Sequence, residues 1–302
     1  MGSKRLTRKQ ARNIDFLVLG LEAASGVLHP HPHAFYETAL RSIALLSVML
    51  YGGGVVMMAL GHFFGRKIQK ASYRWNDIKR EAFETLLAII GFSCLQAWPL
   101  TFYRLGEPCG LYDSLEDVLS VWNSTFSKVL GFPVSVPPGA FVVGYIISLV
   151  LLADMYTYFK HRLLHTPTFF AFHCVHHTFK NPTCFAGFGV APVEAFLTFW
   201  PITLVSFPSL AVWAPLQYLV FTLFYIENLY LHCGSEIWLF EKTWSLFFVN
   251  TSKFHNYHHE KTVTHFGEVL TLWDCLLGTS DWYTSGKAKG KANRGPTVEE
   301  TH

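Results

Sequence analysis

The sequence predicts an all-α membrane protein, with about four to five transmembrane helices and a cytosolic, histidine-rich helical cap. Three observations predict it. The 302 residues are 51% hydrophobic and only 15% charged, with a mean hydropathy of +0.26, whereas a soluble domain carries about 25% charged residues. The shortfall comes from long uncharged runs. Three histidine clusters at helical spacing follow the third of these runs. A formal charge of +3 is too weak to imply a nucleic-acid partner. The basic residues gather instead in short runs suited to membrane lipids. Six cysteines without a CxxC pair do not form a disulfide framework.

Residues 1–41 read as an N-terminal interfacial or flexible segment. Lys4, Arg5, Arg8, Lys9 and Arg12 open it. Asp15 and Glu22 then interrupt the apolar stretch that a cleaved signal peptide would keep unbroken. His29, His31 and His33 alternate with prolines and read as a loop.

Residues 42–138 hold the first two spanning helices and their connections. A span needs about 20 apolar residues, because the hydrocarbon layer is about 30 Å and the helix rises about 1.5 Å per residue. Residues 42–65 and 85–103 meet this, and His62 in the first reads as a hydrogen-bonded structural side chain. Arg66, Lys67, Lys70, Arg74, Lys79 and Arg80 lie between them and mark a cytosolic loop. Ile68, Trp75 and Ile78 share a helical face there, which predicts a helix along the interface. The loop 104–138 sets Glu107, Asp113, Glu116 and Asp117 against Arg104 and Lys128, and is placed in the lumen.

Residues 139–283 carry the chemistry. A third span, 139–159, contains Asp154. Residues 195–226 are uncharged throughout, too long for one span, and punctuated by Pro201, Pro208 and Pro215. They read as two helices or a re-entrant hairpin. Residues 284–302 read as a flexible basic tail.

The clusters are His161-Arg-Leu-Leu-His165, His173-Cys-Val-His176-His177 and His255-Asn-Tyr-His258-His259. Positions three and four apart share a helix face, so each cluster can aim two imidazoles at one metal. The doublets can serve two metals. Asn228-Leu-Tyr-Leu-His232 puts Asn228 and His232 on one face after the hairpin. Two metals with four or five ligands each use all nine: His161, His165, His173, His176, His177, His232, His255, His258 and His259. A structural zinc site takes four ligands, usually with cysteine, so nine histidines exceed its needs. Imidazole suits iron, zinc, copper and nickel alike. There is no GxSxG elbow and no P-loop, so hydrolase and nucleotide-binding readings have no support.

This series, closing on Trp273-Asp274 and Gly278-Thr279, resembles the fatty acid hydroxylase/sterol desaturase superfamily over about residues 140–283. The resemblance implies a membrane di-iron centre, with zinc as an alternative occupant. It implies O2 as co-substrate and electrons from NAD(P)H through cytochrome b5 or a separate reductase. The implied substrate is a sterol, terpenoid or other lipophile, which is hydroxylated or, alternatively, desaturated. The implied location is the endoplasmic reticulum membrane, with the metal site facing the cytosol. The reading of a different class is a non-catalytic membrane scaffold or metal-binding protein.

Two departures stand out. Asn228 occupies a place where some members have histidine. His265 precedes Phe266-Gly267 where many have asparagine, and is a tenth ligand, a proton carrier or a structural substitute. Asp154 and Asp274 resemble acids of the family. With Glu227, they are expected to accept the outer N–H of ligating imidazoles. The sequon at Asn123 falls in the lumenal loop, whereas Asn250 is expected to stay unmodified beside the cytosolic third cluster.

Overall fold

The computed structural model describes residues 6–69 and 72–282. Lys4, Arg5, Lys70 and the basic tail lie outside the described residues. The molecule is mostly helical, with little strand.

Within the first segment, residues Arg8–Ser25 form helix α1. A capping box starts it: Gln10 N–H donates to Thr7 Oγ1 and Thr7 N–H donates to Gln10 Oε1. Its buried face, Ala11, Asp15 and Glu22, packs on α4 (Trp75–Leu105), α7 (Phe170–His177) and α8 (Pro192–Phe199). Helix α2 (Pro32–Ser47) begins ten residues before the uncharged run. Pro32 stands in its first turn, where the missing N–H costs nothing. His33 is therefore helical, not part of a loop. His29 is buried, with its ring against Phe35, Trp98 and Phe102. A π turn, Val48–Gly52, joins α2 to α3 (Gly53–Phe64). His62 lies exposed in the last turn of α3, beside Phe63.

The expected interfacial helix over 66–80 is absent among the described residues. Strand β1 (Gly65–Lys67) instead pairs antiparallel with β4 (Ser235–Ile237), and helix begins only at Trp75. The pairing wins because it continues past the strand, with Ile68 N–H donating to Gly234 O at 2.9 Å. It also seats Arg66 2.5 Å from Glu236. Ile68 thus lies outside the helix that holds Trp75 and Ile78.

Helix α4 is the central post. Ala88, Ile89, Phe92 and Leu95 join the main apolar core with Phe188, Phe199, Tyr225 and Leu229. It ends at Gly106, whose φ of +70° suits a residue without Cβ. Strand β2 (Leu111–Tyr112) leads to α5 (Leu115–Leu130), capped by Ser114 and carrying Glu116 and Asp117 in its first turn.

Helix α6 (Pro138–Leu164) follows. The stretches Pro32–Phe64, Trp75–Leu105 and Pro138–Leu164 are long and apolar enough to cross a membrane. The long uncharged run does not make a fourth straight span. Helix α8 runs into a 3-10 stretch, Trp200–Ser206, with Pro201 at its start. That piece is shorter than the about 30 Å a span requires. The chain then turns through β3 (Val212–Trp213), parallel to β2, into α9 (Ala214–Leu231). Prolines remove N–H donors at the breaks, as a hairpin requires. Helices α10 (Trp238–Ser245), α11 (Ser252–Lys261) and α12 (Leu272–Leu277) complete the chain.

Candidate metal centre

The ends of α6, α7, α9 and α11 converge and bring all nine histidines into two groups. His161, His165, His173, His177 and His258 form one, and His176, His232, His255 and His259 the other. Within each group one ring nitrogen per residue lies within 4.8 Å of all the others. Helical periodicity explains the sorting. His161/His165, His173/His177 and His255/His259 are i, i+4 pairs that stay together. Each doublet splits: His176 and His177 face different groups, as do His258 and His259. The two groups are thereby tied together through α7 and α11.

The rings are aimed by their outer nitrogens. His161 Nδ1 lies 2.8 Å from Phe266 O, His258 Nδ1 2.7 Å from Thr264 O, and His232 Nδ1 2.9 Å from Asn228 O. A carbonyl only accepts, so each Nδ1 carries the proton and each Nε2 turns a lone pair inward. His173 Nδ1 stands 2.8 Å from Glu194 Oε2. The inward Nε2 atoms crowd one another: His177–His173 at 2.9 Å, His177–His165 at 3.1 Å, His258–His177 at 3.2 Å and His255–His232 at 3.0 Å. Lone pairs so converged repel unless a cation lies between them, so this donor set fits two metal ions. Burial, then the neighbouring imidazoles, holds His173, His176, His177, His255 and His259 far below the usual histidine range. His258 is brought to about 4, mainly by burial. All six are therefore neutral and able to ligate at pH 7.

The predicted carboxylates act differently from expectation. Asp274 accepts from Phe266 N–H, Gly267 N–H and Thr279 Oγ1 at 2.9, 2.6 and 2.6 Å. Asp154 accepts from Leu270 N–H at 2.9 Å. Both pin the 264–271 loop, and that loop's carbonyls receive the His161 and His258 protons. They support the imidazoles one step removed. Glu227 is buried on α9, and among the described residues no contact places it on an imidazole. The carboxylate that faces one directly is Glu194, which sequence reasoning missed. A signal was present: it is the sole acid between Asp154 and Glu227, in strongly apolar surroundings where a charge is costly without a task. Glu268 was missed too. Its Oε1 lies 3.8 Å from His161 Nδ1 and 2.7 Å from Lys160 Nζ.

Asn228 belongs to neither ligand group. Its side chain lines a cavity of about 40 Å³ between the histidines and Phe188, Phe199 and Phe224. A Cβ at Gly187 would stand 2.1 Å from Asn228 Oδ1, so only glycine leaves it room. His265 also lies apart from both groups. It stacks on Phe254 with ring centres 3.9 Å apart and meets Ser280 Oγ at 3.1 Å. Its φ is +61°, a region where asparagine and histidine are among the few tolerated side chains.

Residues 146–279 match the fatty acid hydroxylase family model. A lathosterol oxidase of Rattus norvegicus is 29% identical over 224 residues, covering 71% of this chain and 65% of that one. A methylsterol monooxygenase 1 of Rattus norvegicus is 26% identical over 160 residues, covering 51% and 53%. A sphingolipid C4-hydroxylase of Saccharomyces cerevisiae is 29% identical over 171 residues, covering 52% and 48%. The chain thus spans about half to two thirds of the length of these relatives. No solved structure matches.

Proposed function

Through residues 146–279 the chain belongs to the fatty acid hydroxylase family, and on that premise we propose that it is a membrane-bound, non-haem di-iron enzyme that uses O2 to oxidise a lipophilic substrate such as a sterol or terpenoid. The observation that carries this is the sorting of nine buried imidazoles into groups of five and four. His161, His165, His173, His177 and His258 would hold one ion, and His176, His232, His255 and His259 the other. The bound iron pair would supply the oxidising power to break an unactivated C–H bond. Hydroxylation consumes O2, two electrons and two protons and yields an alcohol and water. Desaturation takes a second hydrogen from the substrate and yields an alkene and two waters. The electrons are assigned to NAD(P)H through cytochrome b5 or a reductase. The metal site is assigned to the cytosolic face of the endoplasmic reticulum membrane.

The protein's own part is positioning and exclusion of water. Phe188, Phe199 and Phe224 give the cavity beside the histidines an apolar wall. Lys160 and Glu268 close one side as an ion pair, with Lys160 Nζ also 3.2 Å from Thr198 Oγ1. Asn228 presents the polar atom closest in sequence to His232 on that wall.

Lipid profiling of cells with and without the chain, grown under 18O2, tests the function. An alcohol carrying 18O supports hydroxylation, and an unlabelled new alkene supports desaturation. An unchanged lipid profile, with expression verified, would favour the non-catalytic scaffold or metal-binding reading.

A further inference from the structure

Helix α10 and the turn after it present an apolar surface that the metal site does not use. Trp238 is 69% exposed, Leu239 55%, Leu246 71% and Phe247 75%. No residue of α10 is fully buried. Its inward side is Phe240 and Trp244, one turn apart, which stack on each other and meet Tyr230 edge-on. Its outward side sets Trp238 and Leu239 beside Lys242 and Ser245, and the turn that follows adds Leu246 and Phe247. This mix of exposed apolar side chains and a cation suits a membrane interface rather than bulk water.

The strand pairing sets this surface beside the end of a candidate membrane span. Gly65 lies opposite Ile237, so the preceding Phe64 and the following Trp238 leave the two strands at the same end. Phe63 and Phe64, 76% and 72% exposed, close the span that ends in α3. The α10 surface therefore continues the exposed apolar end of a candidate membrane span. Cations edge it, as at a headgroup layer: Lys242 Nζ lies 4.9 Å from the Trp238 ring centre, and Arg66 and Lys253 flank Glu236. The turn itself is held in an unusual shape. Phe248 has φ +58°, rare for a bulky residue. Thr271 N–H donates to Phe248 O at 2.7 Å and fixes it. The result turns Leu246 and Phe247 outward.

We propose that residues 238–248 form a lip embedded in the membrane interface, with bilayer lipid as its partner and Leu246 and Phe247 at its deepest point. Four residues beyond Phe248 the chain enters α11, which carries His255, His258 and His259. The Thr271 bond ties the same turn to the loop that Asp154 pins. The lip thus sets the depth of α11 against the membrane. This holds whichever metal the histidines bind.

The test uses the full chain in nanodiscs of phosphatidylcholine and phosphatidylserine. Cys275, the one exposed cysteine, is replaced by Ser, and Phe247→Cys carries a bimane label. Trp238→Cys serves as an independent second site. A label at Glu260→Cys, on the exposed side of α11, is the aqueous reference. Lipids with nitroxides on their acyl chains should quench the lip labels several-fold more than the reference, and iodide several-fold less. Iodide quenching equal to that of the reference would overturn the proposal. So would shielding from both quenchers, which would place another protein surface over the patch.

Discussion

Replacing Glu194 with Gln should weaken one metal site and spare the other. Glu194 is 3% exposed and its Oε2 lies 2.8 Å from His173 Nδ1. Gln keeps the size but replaces the carboxyl oxygen that faces the imidazole Nδ1 with an amide. Loss of such an outer partner typically costs about 10–100-fold in metal affinity, or roughly 1.4–2.7 kcal/mol. The effect should fall on the five-histidine group, because His173 belongs to it and not to the four-histidine group. The assay is chelator-driven metal release from the purified chain, followed as two phases. Glu194→Gln should accelerate or deepen one phase and leave the other unchanged. Equal weakening of both phases, or of neither, would refute the argument.

Four further outcomes follow from the same geometry. Single replacement of His176, His177, His258 or His259 by Ala should abolish turnover, and His258→Ala and His259→Ala should each lower metal content by about one ion per chain; full activity in any two would defeat the assignment. His265→Asn should retain metal and lose only about 1 kcal/mol or less of stability, since Asn accepts its positive φ but gives up the Phe254 stack; complete metal loss would instead make His265 a ligand. The metal-free protein should hold its stability above pH 6.5 and lose it as pH falls toward 4, because the unfolded chain takes up protons that buried imidazoles refuse; for His258, lowered from 6.5 to about 4, this is worth roughly 3 kcal/mol, and a flat stability profile by thermal unfolding would contradict it. Asn250 should carry no glycan in a eukaryotic host, since it is fully buried with Nδ2 donating to Gly267 O at 2.8 Å; a glycan seen by mass spectrometry would mean a different fold there.

The nine histidines were legible because their spacing follows the helix period, which fixes who shares a face without any tertiary knowledge. The break-up of the long uncharged run was legible because prolines remove donors wherever they fall. The start of α2 was not. Glu37 and Arg41 pair with each other, so the helix continues through charges that look like an interruption. The β1–β4 pairing was hidden for another reason: its two strands are three residues each and 168 positions apart at Lys67 and Ser235, and no local pattern announces such a pair. Asp154 and Asp274 were visible as acids in the right place. Whether a carboxylate meets an imidazole or a backbone N–H depends on how the 264–271 loop folds back, and only the structure carries that. Likewise α1 displays ordinary amphipathic spacing, but its seat on α7 and α8, where Asp15 Oδ1 accepts from Val193 N–H at 3.2 Å, is tertiary.

The central claim is that two ions sit in separate, histidine-only groups. Metal analysis of the full chain, purified in detergent after expression with iron, tests it most directly when joined to Mössbauer spectroscopy. The account predicts two irons per chain with nitrogen-rich coordination, falling to about one in His259→Ala. One ion or none in the intact, folded chain would contradict it.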